Sequence, residues 1–324
     1  MLNSTLIILA IFIVAFIGIA VFDISKSKKR KEVYRVKSSV TAYLMLLPAV
    51  VLAFLFILLP ILYSLGYAFT DYYLLKPNEI NFVWFDNFTA FFEELATKGT
   101  LYNAIKNTIV FVVGVVPLQI GTALLLALFV NRPGRGSKIF KVCFFAPVVI
   151  SLSVTSFLWL QILAPGENGL LNAILGIFGL PPHDWLRDPN TAMPCIIVLS
   201  AWQGCGYQML IFLSGLSNIR KELYEAAALD GSNSWRKFWL VTWPGLRSTF
   251  VYVIITVFIG ACRILTQPML MTGYQDITVT LSYYMYQQGY TYRWVGQSSA
   301  VALIMTIFIG TITLIQRRVF REDK

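Results

Sequence analysis

Residues 107–130 read NTIVFVVGVVPLQIGTALLLALFV, a run of 24 residues that contains no charged side chain. A helix rises about 1.5 Å per residue, so a helix of this length exceeds the roughly 30 Å hydrocarbon core of a bilayer. The stretch therefore predicts a helix that crosses a membrane.

Six further stretches satisfy the same test of length and hydropathy. They cover about residues 4–22, 42–69, 140–163, 194–215, 248–271 and 297–316. Of the 324 residues, 57% are hydrophobic and only 13% are charged, whereas about a quarter of the residues in soluble domains are charged. The composition thus excludes an ordinary soluble enzyme and a disordered chain. The predicted fold class is all-α, a polytopic helical membrane protein with seven transmembrane helices.

Lys and Arg are concentrated in every second connection between the predicted spans. The segments 23–41, 131–141, 217–247 and 317–324 hold seven, four, five and four Lys or Arg, whereas the intervening connections hold five together. Lys and Arg are enriched on the cytoplasmic side of membrane proteins. This asymmetry predicts an external N-terminus and a cytoplasmic C-terminus, and it accounts for the net charge of +10 without a nucleic-acid partner.

No Gly-, Ser- or Pro-rich linker and no short repeat divides the chain. We predict an extra N-terminal transmembrane helix with a basic cytoplasmic loop at 1–41, followed by a six-helix domain at 42–324. Asn87 and the apolar residues after it predict a capped amphipathic helix at the membrane surface.

The sequence lacks the groups that several other functions require. All 16 carboxylates lie outside the predicted spans, which disfavours a secondary transporter, although sodium bound by backbone carbonyls stays open. His183 is the single histidine, and no phosphate-binding loop is present, so the chain is not expected to hydrolyse ATP itself. The four cysteines, Cys143, Cys195, Cys205 and Cys262, form no C-x-x-C pair. We therefore expect no catalytic residue, no metal site and no cofactor.

The basic segment 217–247 has local signals for two short helices. Glu222 to Leu229 are mostly strong helix formers, and Gly231 stands where a helix end needs a left-handed residue. Ser232 or Ser234 is expected to cap the second helix, and Pro244 to restart the chain before the next span. Alanines 226–228 would let another protein approach closely.

This segment resembles the EAA loop of permease subunits of binding-protein-dependent ABC importers. The likeness rests on six residues: Glu225, Ala226, Ala227, Asp230, Gly231 and Pro244. Phe238 also matches the form found in the carbohydrate-uptake branch, which the maltose system typifies, whereas Ser232, Val241 and Trp243 depart from it. Fainter similarities to that branch occur at 43–49, 86–88, 107–108 and 169–172.

The resemblance implies the mechanism and the partners. The loop would dock as a coupling helix on a separate ATPase dimer, whose closure on ATP would rock the spans between inward- and outward-facing states. A second permease subunit would complete the pore in the inner membrane. An external solute-binding protein would deliver a carbohydrate to loops 70–106, 164–193 and 272–296.

Polar side chains inside the predicted spans are candidates for the substrate pathway, since each is costly in a bilayer. They are Ser151, Thr155 and Trp159 in the fourth span, Trp202, Gln203, Tyr207 and Gln208 in the fifth, and Arg263 and Gln267 in the sixth. Helical spacing places Gln203 with Tyr207, and Arg263 with Gln267, on common faces. Hydrogen bonding between helices without any ligand is the alternative for all of them.

Two other functions stay open at this point. The same architecture could import a non-sugar solute such as glycerol phosphate, with Arg263 as the anion contact. The region around Arg263 departs from the family pattern, which leaves room for an anionic sugar. A membrane-embedded enzyme or scaffold is the second alternative, and the coupling loop argues against it.

Overall fold

The computed structural model describes residues 12, 14, 17–22, 25, 33–131, 134, 136–273 and 277–319. Their fold is helical, with only two isolated β-bridges in the described residues. The helices are α1 (Val33–Ala53), α2 (Leu59–Tyr67), α3 (Asp86–Ala96), α4 (Thr100–Val130), α5 (Ser137–Val149), α6 (Leu152–Ile162), α7 (Leu170–Ile177), α8 (Ala192–Ser217), α9 (Lys221–Leu229), α10 (Ser234–Lys237), α11 (Trp243–Cys262), α12 (Thr266–Met271), α13 (Leu281–Tyr286) and α14 (Val295–Val319).

Among the described residues, five helical stretches are long and apolar enough to cross a membrane. They are Thr41–Tyr67, which joins α1 to α2 through a π-helical turn, then α4, α8, Ser234–Cys262, and α14. The all-α, polytopic membrane architecture is confirmed. The predicted span 4–22 lies largely outside the described residues, so the count of seven stays a prediction.

The predicted span 140–163 is wrong as a single straight helix. It consists of α5 and α6, which meet at an angle of 98°. Ile150 and Ser151 adopt extended backbone conformations at the break, and the Ser151 side chain accepts a hydrogen bond from the Val154 amide at 3.3 Å. Ser151 is therefore the cap of α6. Hydropathy missed the break because both halves are apolar.

The predicted span 248–271 also ends early. Helix α11 begins upstream and stops at Cys262, and α12 is a separate short helix. Ser282 donates to the Cys262 carbonyl at 3.3 Å and Thr280 donates to the Ile264 carbonyl at 2.8 Å, so two carbonyls at the break have hydrogen-bond donors. Arg263 and Gln267 consequently do not share one helical face.

The amphipathic surface helix exists as α3, but Asn87 does not cap it. Asn87 lies inside the first turn, and its side-chain amide donates to the carbonyls of Ala68 and Thr70 at 3.0 and 2.8 Å. The residue thus fastens α3 to the end of α2.

Helix α8 is the centre of the packing. It lies against α4, α5 and α11, and its buried side chains belong to two of the hydrophobic clusters. Glycines permit the closest approaches: a Cβ at Gly206 would lie 2.3 Å from the Phe144 carbonyl oxygen, and one at Gly215 would lie 2.5 Å from Thr249 Oγ1. Small residues play this part between helices in membranes, where van der Waals packing drives association.

Replacing Gly206 by Ala is expected to lower the free energy of unfolding by about 1–3 kcal/mol, because the new methyl group collides with the backbone of α5. Gly121→Ala in α4 is the matched control, since a Cβ there meets no atom within 4 Å. Thermal unfolding of the detergent-purified protein compares the two. Equal midpoints would contradict the close α5–α8 contact.

The connection between α6 and α8 is organised by one buried amide. Asn172, which is only 3% exposed, donates to the carbonyls of Ala164, Gly166 and His183 at 2.9–3.1 Å. Its oxygen accepts from the His183 amide and from the Trp185 indole at 3.1 and 2.9 Å. One side chain therefore links both halves of this loop.

Candidate functional site

Helix α9 ends in a complete Schellman motif. The Ser232 amide donates to the Ala227 carbonyl and the Gly231 amide donates to the Ala228 carbonyl, both at 3.0 Å. Gly231 has the left-handed φ of 72° that this ending needs. The predicted helix is therefore present and ends at its glycine. The carbonyls of Ala227 and Ala228 accept the hydrogen bonds that terminate it.

The outer face of α9 is open. Glu225, Ala226, Asp230 and Gly231 are exposed, and Leu229 next to them is 90% exposed. Ala227 is instead buried against its own chain, so it supports the helix and leaves its neighbours exposed. An apolar and acidic patch on a short surface helix is suited to docking in a groove of another protein.

The segment after Gly231 differs from the prediction. Asn233, not Ser232 or Ser234, caps α10, because its side chain accepts from the Arg236 amide at 2.9 Å. Pro244 does not restart the chain, since Ser234–Cys262 is one helical stretch that includes a π-helical turn at Phe238–Thr242. The π-helical turn comes just before Pro244. Proline has no amide hydrogen, so a regular α-helix would lack one backbone hydrogen bond at this position.

One hydrogen bond ties α9 to this turn. Tyr224 Oη lies 3.0 Å from Thr242 Oγ1. Thr242 is buried, so the contact fixes α9 to the start of the following span.

A cavity of about 560 Å³, here called the central cavity, lies among α4, α8 and α11. Ligand pockets typically enclose roughly 300–1,000 Å³. Its polar lining consists of three hydroxyls, four amides and one guanidinium: Ser200, Thr256, Thr266, Gln119, Gln203, Gln208, Gln267 and Arg263. Four predicted pathway residues, Gln203, Gln208, Arg263 and Gln267, are thus brought together.

Gln119 and Ser200 are functional candidates that the sequence reading missed. Gln119 Nε2 donates to Gln208 Oε1 at 3.0 Å, and this crossing needs Gly204, where a Cβ would lie 2.2 Å from Gln119 Nε2. Gln267 Nε2 donates to Ser200 Oγ at 3.3 Å. A polar residue within 107–130 was the available signal for Gln119, although only the fold shows its neighbour.

The side chain of Gln203 also bridges the break between α5 and α6 by hydrogen bonds. Its Nε2 donates to the Ile150 carbonyl and to Thr155 Oγ1, both at 3.2 Å. Thr155 is fully buried and donates to the Ser151 carbonyl, so neither Thr155 nor Ser151 lines the central cavity. These two residues position the wall that carries Gln203.

Three predicted aromatic residues lie elsewhere. Trp202 lines a second, largely apolar cavity on another side of α8, and its ring centroid is 6.0 Å from that of Trp159. Tyr207 is half exposed and lines neither large cavity. Gln203 and Tyr207 are four residues apart on α8, yet only Gln203 lines the central cavity.

Arg263 carries the charge of the central cavity. Within the described residues no carboxylate lies within ion-pair distance of its guanidinium, and no cluster of His, Cys, Asp or Glu could hold a metal ion. The cavity therefore offers amide, hydroxyl and guanidinium hydrogen bonds to a solute.

Away from the spans, Glu94 joins α3 to α13. Its carboxylate accepts from the Tyr284 hydroxyl and from the Leu101 amide. Burial, followed by the adjacent carboxylate, raises the pKa of Tyr284, so this phenol stays protonated and keeps donating. Asp71 accepts two hydrogen bonds from Asn81, which lower the pKa of its carboxyl.

The fold and the site together define a polytopic helical membrane protein with a polar cavity between spans and an exposed helix on a basic loop. The chain belongs to the family of binding-protein-dependent transport system inner membrane components, whose model matches residues 119–322. It is accordingly a permease component of an ABC transport system, and this membership argues against a membrane enzyme or scaffold.

Curated relatives match nearly the whole chain. The arabinooligosaccharides transport system permease protein AraP of Bacillus subtilis is 33% identical over 84% of this chain and 86% of that protein. The lactose transport system permease protein LacF of Rhizobium radiobacter is 31% identical over 88% of this chain and 95% of that protein. A bacterial ABC transporter involved in import of the acidic polysaccharide alginate contains a chain of the same fold, with a TM-score of 0.76, 22% identity, and coverage of 90% of this chain and 98% of that one.

Proposed function

We propose that this permease passes a sugar or oligosaccharide through the central cavity during ATP-driven import. The observation that carries the proposal is the lining, in which amides and hydroxyls converge around one guanidinium with no carboxylate among them. A sugar that leaves water needs replacement hydrogen bonds, which these groups supply. The names of the arabinooligosaccharide and lactose relatives support this substrate class.

The chain works with partners in this proposal. A separate ATPase dimer docks on α9 through Glu225, Ala226, Asp230 and Gly231, with Ala227 and Pro244 as supports. A second permease completes the pore, and an external binding protein delivers the sugar. A structure that contains a related alginate transporter together with its periplasmic protein supports that last partner. ATP hydrolysis takes place in the ATPase subunits.

The proposed orientation places α9 in the cytoplasm and the connection 164–193 outside, with the N-terminus outside and the C-terminus inside. The distribution of Lys and Arg supports this arrangement. Residues 1–41 then form an added transmembrane helix and basic loop, and 42–324 form the transport domain.

Uptake tests the substrate class. The chain, copurified with its permease and ATPase partners and its binding protein, is reconstituted in liposomes and supplied with arabinotriose, lactose or glycerol 3-phosphate. ATP-dependent accumulation of a neutral sugar is expected. Accumulation of glycerol 3-phosphate alone would instead make Arg263 the contact for an anion and would overturn the proposed substrate.

Gln208→Leu is expected to reduce sugar uptake about tenfold, since it removes a cavity amide and releases Gln119 from its hydrogen bond. Gln161→Leu is the matched control, because Gln161 is exposed on α6 and outside the central cavity. Uptake rates at equal amounts of assembled complex compare them. Unchanged transport in Gln208→Leu would remove the central cavity from the pathway.

A further inference from the structure

A third, smaller cavity lies between the end of α8 and the first turns of α11, beside the loop that carries α9. It encloses about 340 Å³ and is here called the inner cavity. Its polar lining consists of Ser214, Asn218, Ser248, Thr249 and Tyr252. No charged residue lines it, in contrast to the central cavity.

Four of these five side chains, Ser214, Asn218, Ser248 and Tyr252, are exposed, so their polar groups are open to water or to a solute. Several hydroxyls elsewhere in the helices donate to a backbone carbonyl one turn earlier, as Thr155, Ser200 and Thr306 do. Within the part of the chain that the structure describes, the side chains of Ser214, Asn218, Ser248, Thr249 and Tyr252 make no such bond. Five polar groups therefore converge on one concavity.

Such a face does not suit contact with lipid. Acyl chains offer no hydrogen bonds, and polar groups at membrane depth usually face protein or a water-filled cavity. By contrast, Val113, Leu125 and Phe129, which are exposed on α4, are apolar. The face formed by Ser248 and Tyr252 is thus directed toward an aqueous path or a partner.

The inner cavity follows the central cavity along α11. Ser248, Tyr252, Thr256 and Gly260 follow at intervals of four residues on α11. The first two line the inner cavity and the last two line the central cavity. One turn, about 6 Å of rise, separates Tyr252 from Thr256, so a solute that leaves one cavity meets the other next.

We propose that the inner cavity is a second solute subsite, which receives an uncharged polyhydroxylated solute after the central cavity and before release. This inference rests on the proposed function. Neutral hydroxyl and amide groups replace part of the water shell of such a solute but hold it weakly, as a site of passage requires. An anionic solute would find no countercharge here.

Thiol protection tests the subsite directly. The complex that carries Ser248→Cys is placed without nucleotide in inside-out proteoliposomes and treated with a membrane-impermeant maleimide, and modification at position 248 is quantified by peptide mass spectrometry. We expect lactose or arabinotriose to slow the modification about tenfold. Ser234→Cys, exposed on α10 outside the cavity, is the matched control and should be insensitive to sugar.

The outcomes separate the explanations. If the complex imports a probe sugar but the sugar leaves modification at position 248 unchanged, the inner subsite is wrong and the proposed function stands. If modification is slow with or without sugar and becomes fast when the partner permease is removed, the face is a subunit contact, which also overturns the subsite. If neither sugar is imported, the proposed function fails and the inference fails with it.

Removal of two hydroxyls gives an independent measurement. Ser248→Ala combined with Thr249→Val keeps the shape of the wall, and it should lower the maximal uptake rate about tenfold while the half-saturating sugar concentration stays the same. Thr306→Val is the control, because it removes a hydroxyl from α14 that already donates to the Ala302 carbonyl. Equal rates in the double variant and the control would contradict the subsite.

Discussion

Gly231→Val is expected to disconnect sugar transport from ATP hydrolysis. The residue holds a left-handed backbone with φ of 72°, and a Cβ there meets no atom within 4 Å, so the cost arises from the backbone alone. That conformation costs an ordinary side chain about 1–2 kcal/mol and a β-branched one more. The Schellman motif should open, and the stimulation of ATPase activity by loaded binding protein should fall at least tenfold.

Gly231→Asn is the matched control, because asparagine adopts the left-handed region far more readily than valine. It should retain most of the stimulation. Because Gly231 lies on the proposed docking surface, the yield of assembled complex is measured for both variants, and stimulation is compared at equal amounts of assembled complex. Full coupling in Gly231→Val would show that α9 does not need its glycine ending to transmit force.

Asn172→Leu should open the connection between α6 and α8. Five hydrogen bonds are lost at a buried position, and each polar group left without a partner costs roughly 1–3 kcal/mol, partly relieved by water. We expect a loss of about 3–5 kcal/mol in the stability of this segment. Hydrogen–deuterium exchange of peptides from 164–193 measures that loss, and binding-protein-stimulated uptake reports its consequence.

Two further substitutions test whether the Asn172 hydrogen bonds are the cause of the increased exchange. Asn190→Ala removes an amide from the same loop, but Asn190 is exposed and bonds only Asp188, so exchange should stay at the wild-type rate. Asn172→Asp keeps the shape and loses the three donated bonds, so it should resemble the leucine variant at neutral pH. Wild-type exchange in Asn172→Leu would mean that other contacts hold the loop.

The sequence was sufficient for the class of fold and for the helix with a glycine ending in the loop 217–247, whose coupling role stays a proposal. Long apolar runs and alternating loop charge both follow from the bilayer, which sets the length of every span and the charge preference of every short connection. The end of α9 was also predictable, because Gly231 is a local requirement of backbone geometry. Each of these features is decided by residues close together in the chain.

The composition of the central cavity was only partly predictable. Gln203, Gln208, Arg263 and Gln267 stand out as polar residues in apolar runs, but their neighbours come from distant segments. Gln119 is 89 positions from Gln208, its hydrogen-bond partner. Hydropathy also carries no information on direction, so the right-angled break at Ile150 was invisible to it.

The π-helical turn at Phe238–Thr242 sets the rotational phase of α11. Such a turn accommodates about one residue more than α-helical winding, and each residue of an α-helix advances the rotation by about 100°. If the turn relaxed to ordinary winding, the face that carries Ser248, Tyr252 and Thr256 would swing by about a quarter of a revolution relative to α9. Because Thr242 in that turn bonds Tyr224 of α9, a movement of α9 would act directly on the turn, and a change in its winding would rotate the polar face of α11.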